Sequence, residues 1–175
     1  MWSVPENRKT TGATFFVTCD LAPRRPIFAE EKNAMKVTNT LKFLRVHGDI
    51  SLYSYVVMPD HIHFVARMAD DVTVSSVVRR LKTFVAKEIS LGSIWNKGFW
   101  SEAVSHSDML NQKTRYIHSN PVRAGLAIDE VSYPYSSAKQ IFEGNFDIVE
   151  PLEGYPCTPL IRHAPDPLRT AGGRR

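Results

Sequence analysis

Two histidines separated by one apolar residue, His61-Ile62-His63, and a tyrosine four residues before an asparagine, Tyr116 and Asn120, are the side chains whose types and spacing could do chemistry. Side chains alternate along a β-strand, so His61 and His63 would emerge on one face, next to each other. Two imidazole nitrogens on a rigid element can hold a divalent ion. The plainer reading has one histidine hydrogen-bonded at a strand end and the other exposed. Residues i and i+4 stack on one face of a helix, so Tyr116 and Asn120 would be presented together. Asn120 could then add an oxygen ligand, making a mixed nitrogen and oxygen site suited to Mg²⁺ or Mn²⁺ beside a phosphate. The plainer reading there is a half-buried tyrosine whose helix ends at the asparagine. Asp60 could orient one imidazole as an acceptor, or serve only as a turn residue.

These residues need elements to position them. Thr14 to Cys19 is rich in β-branched and aromatic residues and reads as a first strand. Pro23 and Pro26 break the pattern, with Arg24 and Arg25 on the loop between them. Residues 30–47 suit a helix, and Asp49 starts a turn. Leu52–Met58 and Ile62–Met68 read as two strands joined tightly through Pro59-Asp60. In that pair Ile62, Phe64 and Ala66 would face away from the histidines. Residues 73–91 form the clearest helix, with Val74, Val77, Val78, Leu81, Phe84, Val85, Ile89 and Leu91 on one arc. Arg79, Arg80, Lys82 and Lys87 occupy the other arc, as a solvated face or a phosphate-contacting stripe. Phe99–Val104 reads as a short last strand. Asp108 can cap a helix from Met109 to about Asn120, because Pro121 disfavours the α conformation at the residue before it.

The order strand, helix, two strands, helix, strand matches a split βαβ arrangement. The fold class is therefore α+β: a ferredoxin-like antiparallel sheet, with an additional C-terminal helix carrying Tyr116. A chain of 175 residues is read as one domain, residues 13–140, between an N-terminal lead (1–12) and a loosely ordered, proline-containing tail (141–175). Hydrophobic residues make up 43%, enough for a core, and a formal charge of +4 suits a polyanion partner without requiring one. Cys19 and Cys157 make neither a disulfide framework nor a zinc site. Met1 to Thr14 lacks the apolar run of a secretory signal, and no stretch is long enough to span a membrane, so a cytoplasmic setting is expected.

Met58-Pro59-Asp60-His61-Ile62-His63-Phe64 and the run from Tyr116 through Asn120-Pro121-Val122-Arg123-Ala124-Gly125 to Leu126 closely resemble the two motifs of the REP-associated tyrosine transposases. These are a branch of the single-tyrosine HUH transposases. The resemblance extends from about Gly12 to Lys139 and takes in Thr18, Trp95 with Phe99, and Pro134-Tyr135-Ser136-Ser137. It implies a ferredoxin-like fold, His61 and His63 as ligands of a divalent cation (Mg²⁺ or Mn²⁺), and Tyr116 as nucleophile. Asn120 falls where the wider group places a further polar ligand, and Arg123 would contact phosphate or pack the helix. The implied substrate is single-stranded DNA bearing a REP-like hairpin, cut and rejoined through a 5′-phosphotyrosine, by a monomer or a homodimer. Single strands are held by basic grooves and aromatic stacking. Arg24, Arg25, Arg79, Arg80 and Lys82 could supply the first. Trp95, Phe99 and Trp100 could supply the second, although Phe99 and Trp100 read first as core residues. Two alternatives stay open: an HUH replication initiator or relaxase, and a catalytically idle nucleic-acid-binding module.

Overall fold

The computed structural model describes residues 10–23 and 25–155. Four strands form one antiparallel sheet: β1 (Thr14–Asp20), β2 (Ile50–Val57), β3 (His61–Met68) and β4 (Trp100–Ala103), in the order β2-β3-β1-β4. Helices α1 (Glu31–Val46) and α2 (Val74–Ile89) are the two crossovers, which makes the sheet ferredoxin-like as expected. Helices α3 (Ser107–Arg123) and α4 (Ala138–Glu143) follow β4.

The alternation of side chains splits the sheet into two faces. Phe15, Val17 and Cys19 of β1 with Ile62, Phe64 and Ala66 of β3 pack with Val37, Leu41 and Leu44 of α1 and the apolar arc of α2. Phe16 and Val65 point the other way, into a smaller cluster with Val56, Met58, Val104, Tyr133 and Ile117 of α3. A shift in β2 pairing between Leu52 and Ser54 changes the alternation by one residue. Ile50 and Leu52 before it, and Tyr55 and Val57 after it, consequently join the same core.

Several expectations are corrected. Residues 141–155 are not a loose tail. Ile141 and Val149 are buried, and Phe146, Ile148, Leu152 and Tyr155 pack against the larger core. Glu150 also donates its backbone N–H to Leu52 O and pairs with Arg45 at 3.0 Å. The remainder of the expected tail, 156–175, and most of the expected lead, 1–9, lie outside the described residues. Helix α3 begins slightly earlier than expected. His106 rather than Asp108 caps it, its Nδ1 accepting from Met109 N–H, and Asp108 sits in the first turn. Nor does Pro121 end the helix. Its ring removes one backbone donor, but it is buried, and Ala124 N–H and Leu126 N–H close the last turn on Asn120 O and Pro121 O. Tertiary burial outweighs the local preference, and α3 runs on to Arg123. Among the described residues no helix is long and apolar enough to cross a membrane.

Candidate active site

The histidine pair stands at the end of β3 nearest the tight β2–β3 turn. Leu21 N–H donates to Asp60 O and Phe28 N–H to Pro59 O, both at 2.9 Å, and Met58 N–H closes onto His61 O. A turn held by three backbone bonds gives His61 a defined place. The strand register then puts His63 opposite Thr18 and His61 opposite Asp20, all on the face that carries α3.

Both imidazoles are oriented through Nδ1. His61 Nδ1 lies 2.7 Å from Asp60 Oδ1, and His63 Nδ1 lies 2.8 Å from Thr18 Oγ1. A carboxylate only accepts, so Nδ1 of His61 carries a proton, and Nε2 is the nitrogen left over for another partner. The Thr18 hydroxyl can play the same part for His63. His63 is buried, and its pKa is pushed down to about 3, first by burial and then by the neighbouring His61. It is therefore a neutral imidazole at physiological pH, the form that binds a metal. The two rings stand 4.7 Å apart between centroids.

Helix α3 presents the other half of the site. Thr114, Ile117, His118 and Pro121 make its buried stripe, at the i, i+3, i+4, i+7 spacing of one helical face. Thr114 Oγ1 meets Ser54 Oγ at 3.0 Å, and His118 is held between Ser137 Oγ (2.8 Å) and Tyr155 OH (3.0 Å). Thr114, Ile117 and Pro121 each have a neighbour one position earlier, and those neighbours, Lys113, Tyr116 and Asn120, line the cleft above the histidines. Anchoring one stripe in the sheet thus turns the adjacent one over the histidine pair. The ring of Tyr116 lies 5.6 Å from that of His63 and 5.8 Å from that of Phe16, and 40% of its surface is open to solvent.

Asn120 donates from Nδ2 to Tyr116 O at 2.7 Å. A carbonyl oxygen can only accept, so the amide nitrogen must face the helix, and Oδ1 is the atom left for an external cation. Among the described residues no three His, Cys, Asp or Glu side chains gather closely enough to hold a metal ion. His61, His63 and Asn120 line one cleft, and two imidazole nitrogens with an amide oxygen are donors of the kind a divalent cation takes. The cleft measures about 590 Å³ and is also lined by Phe16, Thr18, Asp20 and Trp100.

These residues come from three strands and the helix that follows them, and residues 15–120, which contain all of them, match the family model for IS200-like transposases. The chain belongs to the IS200-like transposases. It is thus an enzyme that acts on DNA. The solved structure of the REP-associated tyrosine transposase bound to a REP hairpin shares the fold, with a TM-score of 0.70 at 22% identity, covering 86% of this chain and 91% of that one. A second structure, a candidate transposase from Deinococcus radiodurans R1, aligns with a TM-score of 0.47 at 18% identity, over 67% of this chain and 95% of that one. No curated protein matches the chain.

In this IS200-like transposase His61, His63, Tyr116 and Asn120 meet in one cleft; Arg123 is exposed outside its lining, its guanidinium 5.8 Å from the centre of the Tyr116 ring. The expected basic stripe of α2 does not line the cleft either. That helix packs on the opposite face of the sheet. Arg80 pairs with the buried carboxylate of Asp49, and Lys82 donates to the carbonyls of Asn96 and Gly98 and sits 5.6 Å from the Trp95 ring. Burial lowers the Lys82 pKa against the opposing pull of Cys19 and Asp20. Arg79 is exposed on the same remote helix, Arg25 is exposed on the β1–α1 connection, and Arg24 lies outside the described residues. Trp95 is buried, with Nε1 donating to Lys82 O, but Trp100 is not the core residue it first reads as: 51% of it is exposed, at the rim of the cleft. β4 is an edge strand, so one side of its site-facing residues has no neighbouring strand to cover it.

Sequence reasoning missed Lys113 and Asp20. Lys113 Nζ donates to Glu102 Oε2 at 2.6 Å and lies 5.1 Å from the Phe16 ring. Its place three residues before Tyr116 was a usable signal, since i and i+3 share a helical face. Asp20 had no such signal, because only the β1–β3 register sets it beside His61.

Proposed function

We propose that this transposase cuts and rejoins single-stranded DNA bearing a REP-like hairpin, through a 5′-phosphotyrosine on Tyr116. The observation that carries the reading is the placement of Tyr116 against His63 within one chain, over two imidazoles whose Nδ1 atoms are already occupied. Nucleophile and candidate ligands share one cleft of one chain, which supports catalysis by a monomer over a site shared in a homodimer.

His61, His63 and the Asn120 amide oxygen would hold Mg²⁺ or Mn²⁺. When bound, the cation supplies Lewis-acid withdrawal of charge from a non-bridging oxygen of the scissile phosphate. The protein's own residues do the rest. The Tyr116 oxygen attacks phosphorus in line, forming the O–P bond of a 5′-phosphotyrosine as the bond to the 3′ oxygen breaks. The phenolic proton goes to solvent, and the departing 3′ oxygen takes a proton from solvent and leaves as a 3′-hydroxyl. Arg123, its guanidinium 5.8 Å from the ring centre, would favour loss of the phenolic proton by its positive charge. Phe16 backs the tyrosine ring and keeps it from turning away. Storing the phosphodiester on Tyr116 lets a second 3′-hydroxyl reverse the step, rejoining DNA without ATP.

The test is a covalent adduct. A hairpin oligonucleotide with single-stranded flanks is incubated with the protein and Mg²⁺ or Mn²⁺, then denatured and resolved by size. The wild type is expected to retain labelled DNA, and Tyr116→Phe and the double variant His61→Ala/His63→Ala to retain none. Cleavage that persists in Tyr116→Phe refutes the assignment of the nucleophile. Binding without cleavage across many hairpins favours the idle binding module.

A further inference from the structure

We infer that the catalytic cleft continues past Trp100 into a second subsite, which takes a nucleotide of the single-stranded flank next to the scissile phosphate. The inference rests on the single-strand reading above and extends it to a place in the fold. A cleft of about 560 Å³ is lined by Asp20, Asn96, Lys97, Gly98, Phe99 and Trp100. It shares Asp20 and Trp100 with the catalytic cleft, so the two adjoin where β1 ends and β4 begins.

The chemistry of the lining suits a nucleotide. Trp100 is half-exposed, yet its ring is held: Phe16 meets it edge-on at 5.5 Å, and the Lys113 ammonium lies 5.9 Å from it. A fixed, half-open indole is a stacking platform for a base, at low cost in side-chain entropy. Lys97 is exposed in the lining of the cleft, placed for a backbone phosphate. The one carboxylate of the lining, Asp20, sits at the junction beside His61, away from Lys97 at the loop.

The floor of the subsite is preformed. Lys82 reaches from α2 to bind the carbonyls of Asn96 and Gly98, and Asn96 N–H donates to Asp20 O at 2.9 Å. Trp95 Nε1 returns a bond to Lys82 O at 3.1 Å. The loop between α2 and β4 is thereby tied to both α2 and β1, and little ordering cost remains when a strand binds. Lys82 thus shapes the binding surface from within, through the carbonyls of Asn96 and Gly98.

The experiment measures binding apart from cleavage. Fluorescein-labelled hairpins carrying a thymidine flank of about six nucleotides on the 5′ or the 3′ side, or no flank, are titrated by anisotropy with the divalent cation chelated. Trp100→Ala is expected to weaken the flanked hairpin by about tenfold on one side and leave the flankless hairpin unchanged, with Trp100→Tyr close to wild type. Lys97→Ala is expected to lower the slope of log K against log salt by about 0.7, one single-strand phosphate contact. Flanked binding unchanged in both variants overturns the subsite. So does loss of self-association in Trp100→Ala with DNA binding intact, which would make Trp100 a protein contact. A wild type that forms no covalent adduct, yet shows flank-dependent binding that both variants lose, upholds the subsite while refuting the nicking reaction.

Discussion

Replacing Thr18 by valine removes one oxygen and keeps the shape of the side chain, so it isolates the bond that orients His63. That bond is 2.8 Å long, and the residue it holds is only 6% exposed. While the hydroxyl oxygen accepts from Nδ1–H, the lone pair stays on Nε2, facing the cleft. Without it, a buried N–H at Nδ1 loses its partner at a cost of about 1–3 kcal/mol. Part of that cost is avoided if the proton moves to Nε2, where it occupies the position a cation needs. Loss of such an orienting partner costs about 10- to 100-fold in metal affinity. The assay is adduct formation on the hairpin substrate against Mn²⁺ concentration. Thr18→Val is expected to raise the half-saturating Mn²⁺ by about that factor. The rate at saturating metal should stay within about threefold of wild type, because Tyr116 and Asn120 are untouched. Thr18→Ser, which restores the oxygen, should return the titration toward wild type. An unchanged half-saturating concentration in Thr18→Val, in protein whose melting profile shows it folded, would refute the orienting role.

Two further outcomes follow from the packing. His118 is fully buried, its pKa pushed down to about 3 by burial, as His63 also is by burial and by His61. Unfolding lets each ring return to its ordinary value of 6.5, so the unfolded chain binds more protons below that value. Stability is therefore full above pH 6.5 and is lost as pH falls toward 3, each ring contributing on the order of 1.4 kcal/mol per pH unit at most. Urea midpoints taken between about pH 7 and pH 4 should fall more steeply for wild type than for His118→Ala, and equal slopes would contradict the burial argument. Arg80→Ala should destabilise the fold by about 3 kcal/mol, because it leaves the carboxylate of Asp49 buried without its guanidinium. Hairpin affinity should be unchanged; weaker binding without loss of stability would return Arg80 to the DNA-contacting set.

Much of the fold was legible because it depends on local periodicity. The apolar arc of α2, the alternation in β1 and β3, and the Pro59-Asp60 turn are all set by residues within a few positions of one another. The errors fall where distant residues decide. Pro121 is a helix terminator by local preference, yet its buried ring and the bonds closing the last turn carry α3 through to Arg123. Residues 141–155 resemble a tail in composition, but Val149 and its neighbours fill a part of the core that only the assembled sheet and helices create. The basic residues of α2 read as a candidate DNA-contacting stripe, and what the stripe alone does not show is that the sheet sets them on the face away from the histidine cleft. There, Arg80 and Lys82 serve Asp49 and the loop before β4.

By itself the sequence determined the pair His61 and His63 on one face of a strand and the pair Tyr116 and Asn120 on one face of a helix, because each pairing follows from a repeat of about two or 3.6 residues. It could not place one pair over the other. The tertiary structure decided that, by burying Thr114 and Ile117 against the sheet and His118 against Ser137 and Tyr155, and so turning Tyr116, one residue along, toward His63. It also placed Asp20 and Trp100 beside them, since register between strands distant in sequence is a property of the closed sheet and of no single segment.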